Sequence, residues 1–145
     1  MIRSYLFVPG DRPDRFEKAC GSRAGLVIVD LEDAVPPDRK IYARTTVAAW
    51  LDPRRPVALR INASDTPWFE DDLTLCKCAG IAAVVLPKAE SVGDLAQIAA
   101  VVPTTPLLPL IETARGFASI GTLALVPRVE RLNPQGAANS TTLAA

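Results

Sequence analysis

The feature that most constrains this chain is a short apolar run that keeps returning. Tyr5-Leu6-Phe7-Val8, Leu26-Val27-Ile28-Val29, Val57-Ala58-Leu59, Ala83-Val84-Val85-Leu86 and Leu107-Leu108-Pro109-Leu110-Ile111 begin 21 to 31 residues apart. Arg128-Val129-Glu130-Arg131-Leu132 is a weaker sixth. Runs this brief, with no polar residue alternating in, suit strands buried on both faces, the signature of a parallel sheet. Helix signals fill the gaps. Asp11 with Pro13 opens one helix, Asp38 the one running to Trp50, and Thr66-Pro67 a third that Gly80 stops. Ser91 with Asp94 forms a capping-box pattern, and Thr113 caps a last helix around Phe117 to Leu125. Strand and helix in strict alternation predict an α/β fold, either an open sheet or a (β/α)8 barrel. Eight barrel units need about 250 residues, so 145 residues hold five and part of a sixth.

Composition narrows the chemistry. Sixteen basic and sixteen acidic residues cancel, with no basic stripe, which argues against a nucleic-acid surface. There is no histidine, so mechanisms that need an imidazole base, a Ser-His-Asp triad or a His-ligated zinc are excluded. Cys20, Cys76 and Cys78 follow no disulfide or zinc spacing and read as reduced structural thiols. The amino-terminal apolar run is too short for a signal peptide, and no segment reaches the ~20 apolar residues of a membrane span. A soluble, cytoplasmic protein is expected. Residues 1–132 are expected to form one α/β domain, either a small open sheet or the amino-terminal part of a (β/α)8 barrel. The stretch 133–145, without charge or aromatic residue, reads as a disordered tail, a frameshift or an expression scar.

In parallel α/β folds ligands gather at the carboxyl ends of the strands, and here those ends are polar. After the first run comes Pro9-Gly10-Asp11-Arg12-Pro13, where Gly10 allows close backbone approach and Arg12 either meets an anion or belongs to an ordinary turn. After the second comes Asp30-Leu31-Glu32-Asp33. Strand alternation puts Asp30 and Glu32 on one face and Asp33 on the other, and crowded carboxylates need a cation or arginine partner. Arg60 and Asn62 share a face of the third run; Arg60 grips either a ligand oxyanion or the acidic cluster. Lys88 after the fourth run is either a rim residue or a surface charge. Glu112 ends the fifth, on the face of Leu108 and Leu110, where a carboxylate suits a hard cation such as Mg²⁺ or is simply part of a helix start that Thr113 can cap.

The segments RSYLFVPGDRP, VIVDLEDAVPPDRK, ALRIN, DTPWFEDDL, VVLPKAES and PLIETARG, in that order, resemble the citrate lyase beta subunit family of the HpcH/HpaI aldolase superfamily, with malyl-CoA lyase as a cousin. The resemblance covers about residues 2 to 132. It implies a (β/α)8 barrel, Mg²⁺ as cofactor, cleavage of a carbon–carbon bond in a 3-hydroxyacyl-CoA such as citryl-CoA or malyl-CoA, and homo-oligomers of trimer type. It also implies roles for residues of this chain. Arg60 corresponds to a substrate-binding arginine and Glu112 to one of two metal-ligand carboxylates. Glu32 and Asp33 correspond to rim acids that support metal-bound water and substrate, and Arg12 and Lys18 to coenzyme A contacts. The family's second metal ligand is an aspartate after the sixth strand; here no aspartate follows Asp94. The alternative expectation is therefore an inactive fragment that binds acyl-CoA or associates with longer subunits.

Overall fold

A computed structural model describes residues 4–130 and the backbone of Asn133–Pro134. Six strands, β1 (Tyr5–Pro9), β2 (Leu26–Asp30), β3 (Val57–Arg60), β4 (Ile81–Leu86), β5 (Leu107–Ile111) and β6 (Asn133–Pro134), form one sheet in the order β1-β2-β3-β4-β5-β6. Every pairing is parallel. Parallel strands in sequence order are the arrangement of consecutive barrel units; a doubly wound sheet reverses its order partway. The α/β reading and its five to six βα units therefore hold.

Between the strands lie α1 (Phe16–Cys20), α2 (Lys40–Trp50), α3 (Phe69–Leu75), α4 (Val92–Val101), α5 (Ala114–Ala118) and α6 (Ile120–Leu123). The helices pack on one face of the sheet against Leu6, Val8, Val27, Val29, Val57, Leu59, Val84, Leu86 and Leu107. The alternate strand residues, Ile28, Ala58, Ala83, Val85 and Leu110, line the opposite face with Tyr5, Phe7 and Leu108. Continuing that second alternation by two residues carries Ile28 to Asp30, Ala58 to Arg60 and Leu110 to Glu112. The strand ends are thus polar on the face the helices leave free. Among the described residues no helix is long and apolar enough to cross a membrane.

Several expected boundaries move. Ser91 accepts a hydrogen bond from the Asp94 amide and Thr113 one from the Gly116 amide, so both caps are as expected. The last helix, however, breaks into α5 and α6 at Ser119. Thr66 does not cap α3. Its hydroxyl and amide both donate to the Ala63 carbonyl in a turn, and the helix starts three residues later at Phe69. Gly80 does not stop that helix, which ends at Leu75; it turns the chain into β4 at φ 100°, with the Asp52 backbone 3.1 Å from where a Cβ would stand. Asp11 does not cap either: a 3₁₀ turn at Pro13–Arg15 leads into α1, and Asp11 accepts from Arg39 instead. Asp38 likewise lies in a 3₁₀ turn, Pro37–Arg39, without capping α2. The sixth strand includes Asn133–Pro134; of the expected stretch 128–132, Val129 makes an isolated bridge to Leu107, and residues 131–132 lie outside the described residues. Residues 135–145 of the expected tail lie outside the described residues.

Gly10 has the role its position suggested. Its amide donates to the Asp30 carbonyl at 2.8 Å, and an added Cβ would stand 2.9 Å from that same oxygen and from Leu31 Cδ2. Overpacking of this kind costs about 1–3 kcal/mol, so Gly10→Ala lowers the urea midpoint of the chain. Gly121, with nothing within 4 Å of its would-be Cβ, is the control. Gly121→Ala stabilises by up to about 1 kcal/mol through helix propensity.

Candidate active site

The rim is built outward from Asp30. This residue ends β2 directly beside Arg60, its register partner at the end of β3. Arg60 Nε donates to Asp30 Oδ1 at 2.8 Å and Nη2 to Oδ2 at 2.5 Å, a two-pronged pair with both side chains buried. The two oxygens also accept the amides of Glu32 (2.8 Å) and Ala34 (3.0 Å). One carboxylate therefore anchors the neighbouring strand and shapes the turn that follows its own. The Arg60 guanidinium also lies 4.7 Å over the Phe7 ring.

That turn carries Glu32 and Asp33. Glu32 is buried, its Oε1 is 3.7 Å from Arg60 Nη1, and this oxygen has no hydrogen-bond partner. Its Oε2 is 3.9 Å from the Lys88 ammonium. Burial first, and then the adjoining Asp33 carboxyl, pushes Glu32 up to about 7, while Asp33 is held below its usual range by its hydrogen bond to Glu32. The expectation that Asp33 faces away from Glu32 is corrected: β2 ends at Asp30, so alternation no longer governs the turn, and the two carboxyls adjoin.

Lys88 links this cluster to Glu112. It sits after β4 in the left-handed region at φ 49°, and its amide donates to Glu112 Oε2 at 2.7 Å. Such a backbone is uncommon for a residue with a side chain. It turns the amide toward one carboxylate while the ammonium faces another. Beyond Glu112, Thr113 donates to Glu90 at 2.8 Å.

The structure thus places Arg60 beside Glu32 and Asp33, while Glu112 joins them through Lys88, whose amide meets Glu112 and whose ammonium faces Glu32. Arg12 lies in the turn that leaves β1, its amide bonded to the Pro9 carbonyl, and Lys18 lies on α1. Arg12 forms an exposed pair with Asp14, and Lys18 is exposed on α1. Asn62 lies past the end of β3 and turns to α3, its amide and side-chain nitrogen both donating to Asp72 (2.9 and 2.7 Å). Asp72 also accepts from Arg44 of α2 at 3.0 Å. Asp72, Arg44 and Lys40 were not anticipated. The signal for Asp72 and Lys40 was a charge within an apolar helical stripe: Phe69, Asp72, Leu73 and Cys76 in one case, Lys40, Ala43 and Val47 in the other.

The donors here are hard carboxylate oxygens, the type that suits Mg²⁺ rather than a soft metal. Glu112 keeps one oxygen clear of the Lys88 amide, and Glu32 Oε1 is unpartnered. Among the described residues, no three His, Cys, Asp or Glu side chains converge to hold an ion. The set fits a cation that keeps several waters and draws its remaining ligands from substrate.

Consecutive parallel βα units whose strand ends carry an arginine among carboxylates define part of a barrel-type α/β protein with an acidic rim. Residues 3–133 match the HpcH/HpaI aldolase/citrate lyase family, and the chain belongs to it. It is 38% identical over 132 residues to a (3S)-malyl-CoA thioesterase of Cereibacter sphaeroides, covering 88% of this chain and 46% of that protein. It is 34% identical over 149 residues to an L-malyl-CoA/beta-methylmalyl-CoA lyase of the same species, covering 90% and 47%. Its structure is similar to that of protein CitE from Mycobacterium tuberculosis in complex with magnesium, acetoacetate and coenzyme A. That match has a TM-score of 0.80 and 35% identity, and covers 91% of this chain and 48% of CitE. The chain spans about half the length of these relatives.

Two outcomes follow from the geometry. Arg60→Met leaves a buried carboxylate unpaired and destabilises the chain by about 3–5 kcal/mol in urea unfolding; adding Asp30→Asn recovers part of that loss. Glu32 titrates near pH 7 in the fold and near ~4.3 unfolded. Its contribution to stability is complete below the lower value and is lost as pH rises through the upper one. In metal-free buffer, Glu32→Gln therefore removes a fall in melting temperature between about pH 5 and pH 7.5, seen as the difference between the two proteins' profiles.

Proposed function

We propose that this chain carries part of the active site of a carbon–carbon lyase that cleaves a 3-hydroxyacyl-CoA of the citryl-CoA or malyl-CoA class, with Mg²⁺, to a keto acid and acetyl-CoA. The observation that supports this most directly is Arg60, fixed by Asp30 with its remaining guanidinium nitrogen directed to the unpartnered oxygen of Glu32. In the reaction the substrate hydroxyl loses its proton, the C–C bond between the hydroxyl-bearing carbon and the carbon alpha to the thioester breaks, and the electron pair passes to that α-carbon as a thioester enolate that is then protonated. Arg60 suits the grip of the substrate carboxylate or of developing negative charge, since its geometry is set before any ligand arrives. Glu112 and Glu32 are the residues that would hold Mg²⁺, Glu112 directly and Glu32 with Asp33 through water. Bound there, the ion would polarise the oxygen that becomes the keto carbonyl. The Lys88 amide keeps the Glu112 carboxylate oriented. Assembly as a homo-oligomer belongs to this reading, and light scattering checks it.

A second reading is hydrolysis of the thioester, favoured by the 38% identity to a malyl-CoA thioesterase. The two differ in product. A lyase releases keto acid and leaves the thioester intact, whereas a thioesterase releases free coenzyme A thiol. Both products can be followed in one assay with citryl-CoA or malyl-CoA, through the phenylhydrazone and through a thiol reagent.

The 145 residues alone are expected to give no Mg²⁺-dependent turnover. No aspartate follows Asp94, and one direct carboxylate holds an ion that prefers six ordered oxygens only weakly. Joined to the remaining strands of a family member, the chain is expected to release keto acid in an EDTA-sensitive way. In that protein Arg60→Ala lowers turnover about 10²–10³-fold, as loss of a preorganised charge-stabilising donor does. Thiol release without keto acid would replace the lyase reading with the thioesterase one.

A further inference from the structure

We propose that Lys40 is a positioning residue for the rim, one whose ammonium fixes the turn that presents Glu32; its bearing on catalysis rests on the lyase reading above. Lys40 opens α2 and is buried, 7% exposed. Its Nζ donates to the Leu31 carbonyl at 2.8 Å and to the Glu32 carbonyl at 2.6 Å, and it lies 5.2 Å from the centroid of the Trp68 ring. Two carbonyls and an aromatic face occupy its three donors. Among the described residues it makes no ion pair, although Asp30, Glu32, Asp33 and Asp72 all attract it.

An ammonium buried without a carboxylate partner is costly, and a methionine would pack along the same path. What the charge adds is a hold on two particular peptide groups, those on either side of the Glu32 Cα. Asp30 grips the same turn from the opposite polarity, through the amides of Glu32 and Ala34. The turn is therefore held between an anion that gathers its N–H groups and a cation that gathers its carbonyls. With both fixed, the direction in which the Glu32 side chain leaves the backbone is set. Its Oε1 stays buried, unpartnered and 3.7 Å from Arg60, available to a ligand or a bound water. Lys40 reaches the site only through this backbone, and no substrate need touch it.

Amide hydrogen exchange of the 145-residue chain tests this without metal or substrate. In Lys40→Met, the Glu32 and Ala34 amides are expected to exchange at least about tenfold faster, the equivalent of one lost charge-assisted hydrogen bond. The amides of Val29, Leu59 and Val84 inside the sheet are expected to hold their rates, and Lys40→Arg is expected to restore the slow pair. Uniform acceleration across the sheet, or unchanged rates at Glu32 and Ala34, would overturn the proposal. A measurement on the unmutated chain decides the matter even where Lys40→Met does not fold. The Lys40 ammonium should give a slowly exchanging ¹⁵N resonance coupled to the Leu31 and Glu32 carbonyl carbons. An ammonium exchanging as fast as a surface lysine's would overturn the assignment. Failure of the lyase reading shows separately, as absent keto acid from the chain joined to the remaining strands of a family member, with the exchange pattern of the 145 residues intact.

Discussion

The Asp30–Arg60 pair is the interaction on which the rest of the rim depends. Four hydrogen bonds converge on one buried carboxylate, two from the guanidinium and two from the turn beyond β2. Pairs of this kind add little net stability, because desolvating both ions offsets most of their attraction. What the pair supplies here is geometry. It ties the end of β2 to the end of β3, curls the next residues so that Glu32 folds inward, and leaves one guanidinium nitrogen directed at Glu32.

Around that pair the chain spends other charges in the same manner. Lys40 holds carbonyls, Asp72 holds the chain after β3 through Asn62, and Arg44 joins α2 to α3 through Asp72. Lys40 and Asp72 each reach from a helix back to the loop that leaves a strand, the segment that sheet hydrogen bonds no longer fix, and Arg44 braces Asp72 from the next helix. Lys88 does this by backbone alone, accepting a left-handed conformation so that its amide meets Glu112. Conformations of that kind persist where surrounding contacts over-determine them, as at binding rims.

Much of the architecture was legible because it depends on pattern. Five apolar runs became five strands, since a segment buried on both faces carries polar residues only at its end, as β2 does at Asp30 and β3 at Arg60. Ser91 and Thr113 cap helices, since a hydroxyl before a helical run has a local amide to satisfy. Thr66 failed as a cap because a competing local bond, to Ala63, was equally available and no pattern in the sequence distinguishes the two. Arg60, Glu32 and Glu112 were placed on one rim from strand ends alone. The Asp33 direction was missed because strand periodicity was carried past the end of the strand. Asn62 was misplaced for the same reason. Lys40 and Asp72 were legible in principle, as charges inside apolar helical stripes. Their partners were not, because a lysine that binds carbonyls and an aspartate that binds an amide leave no mark in composition.

The order of the strands has a consequence for how the molecule comes together. Each strand pairs only with its neighbours in sequence, so no ladder spans more than one βα unit. The entropy lost on closing each loop is correspondingly small and nearly equal from one unit to the next. The register of every new strand is templated by the strand made just before it. The sheet can therefore be laid down in the direction of translation, each arriving unit covering the open edge left by the last.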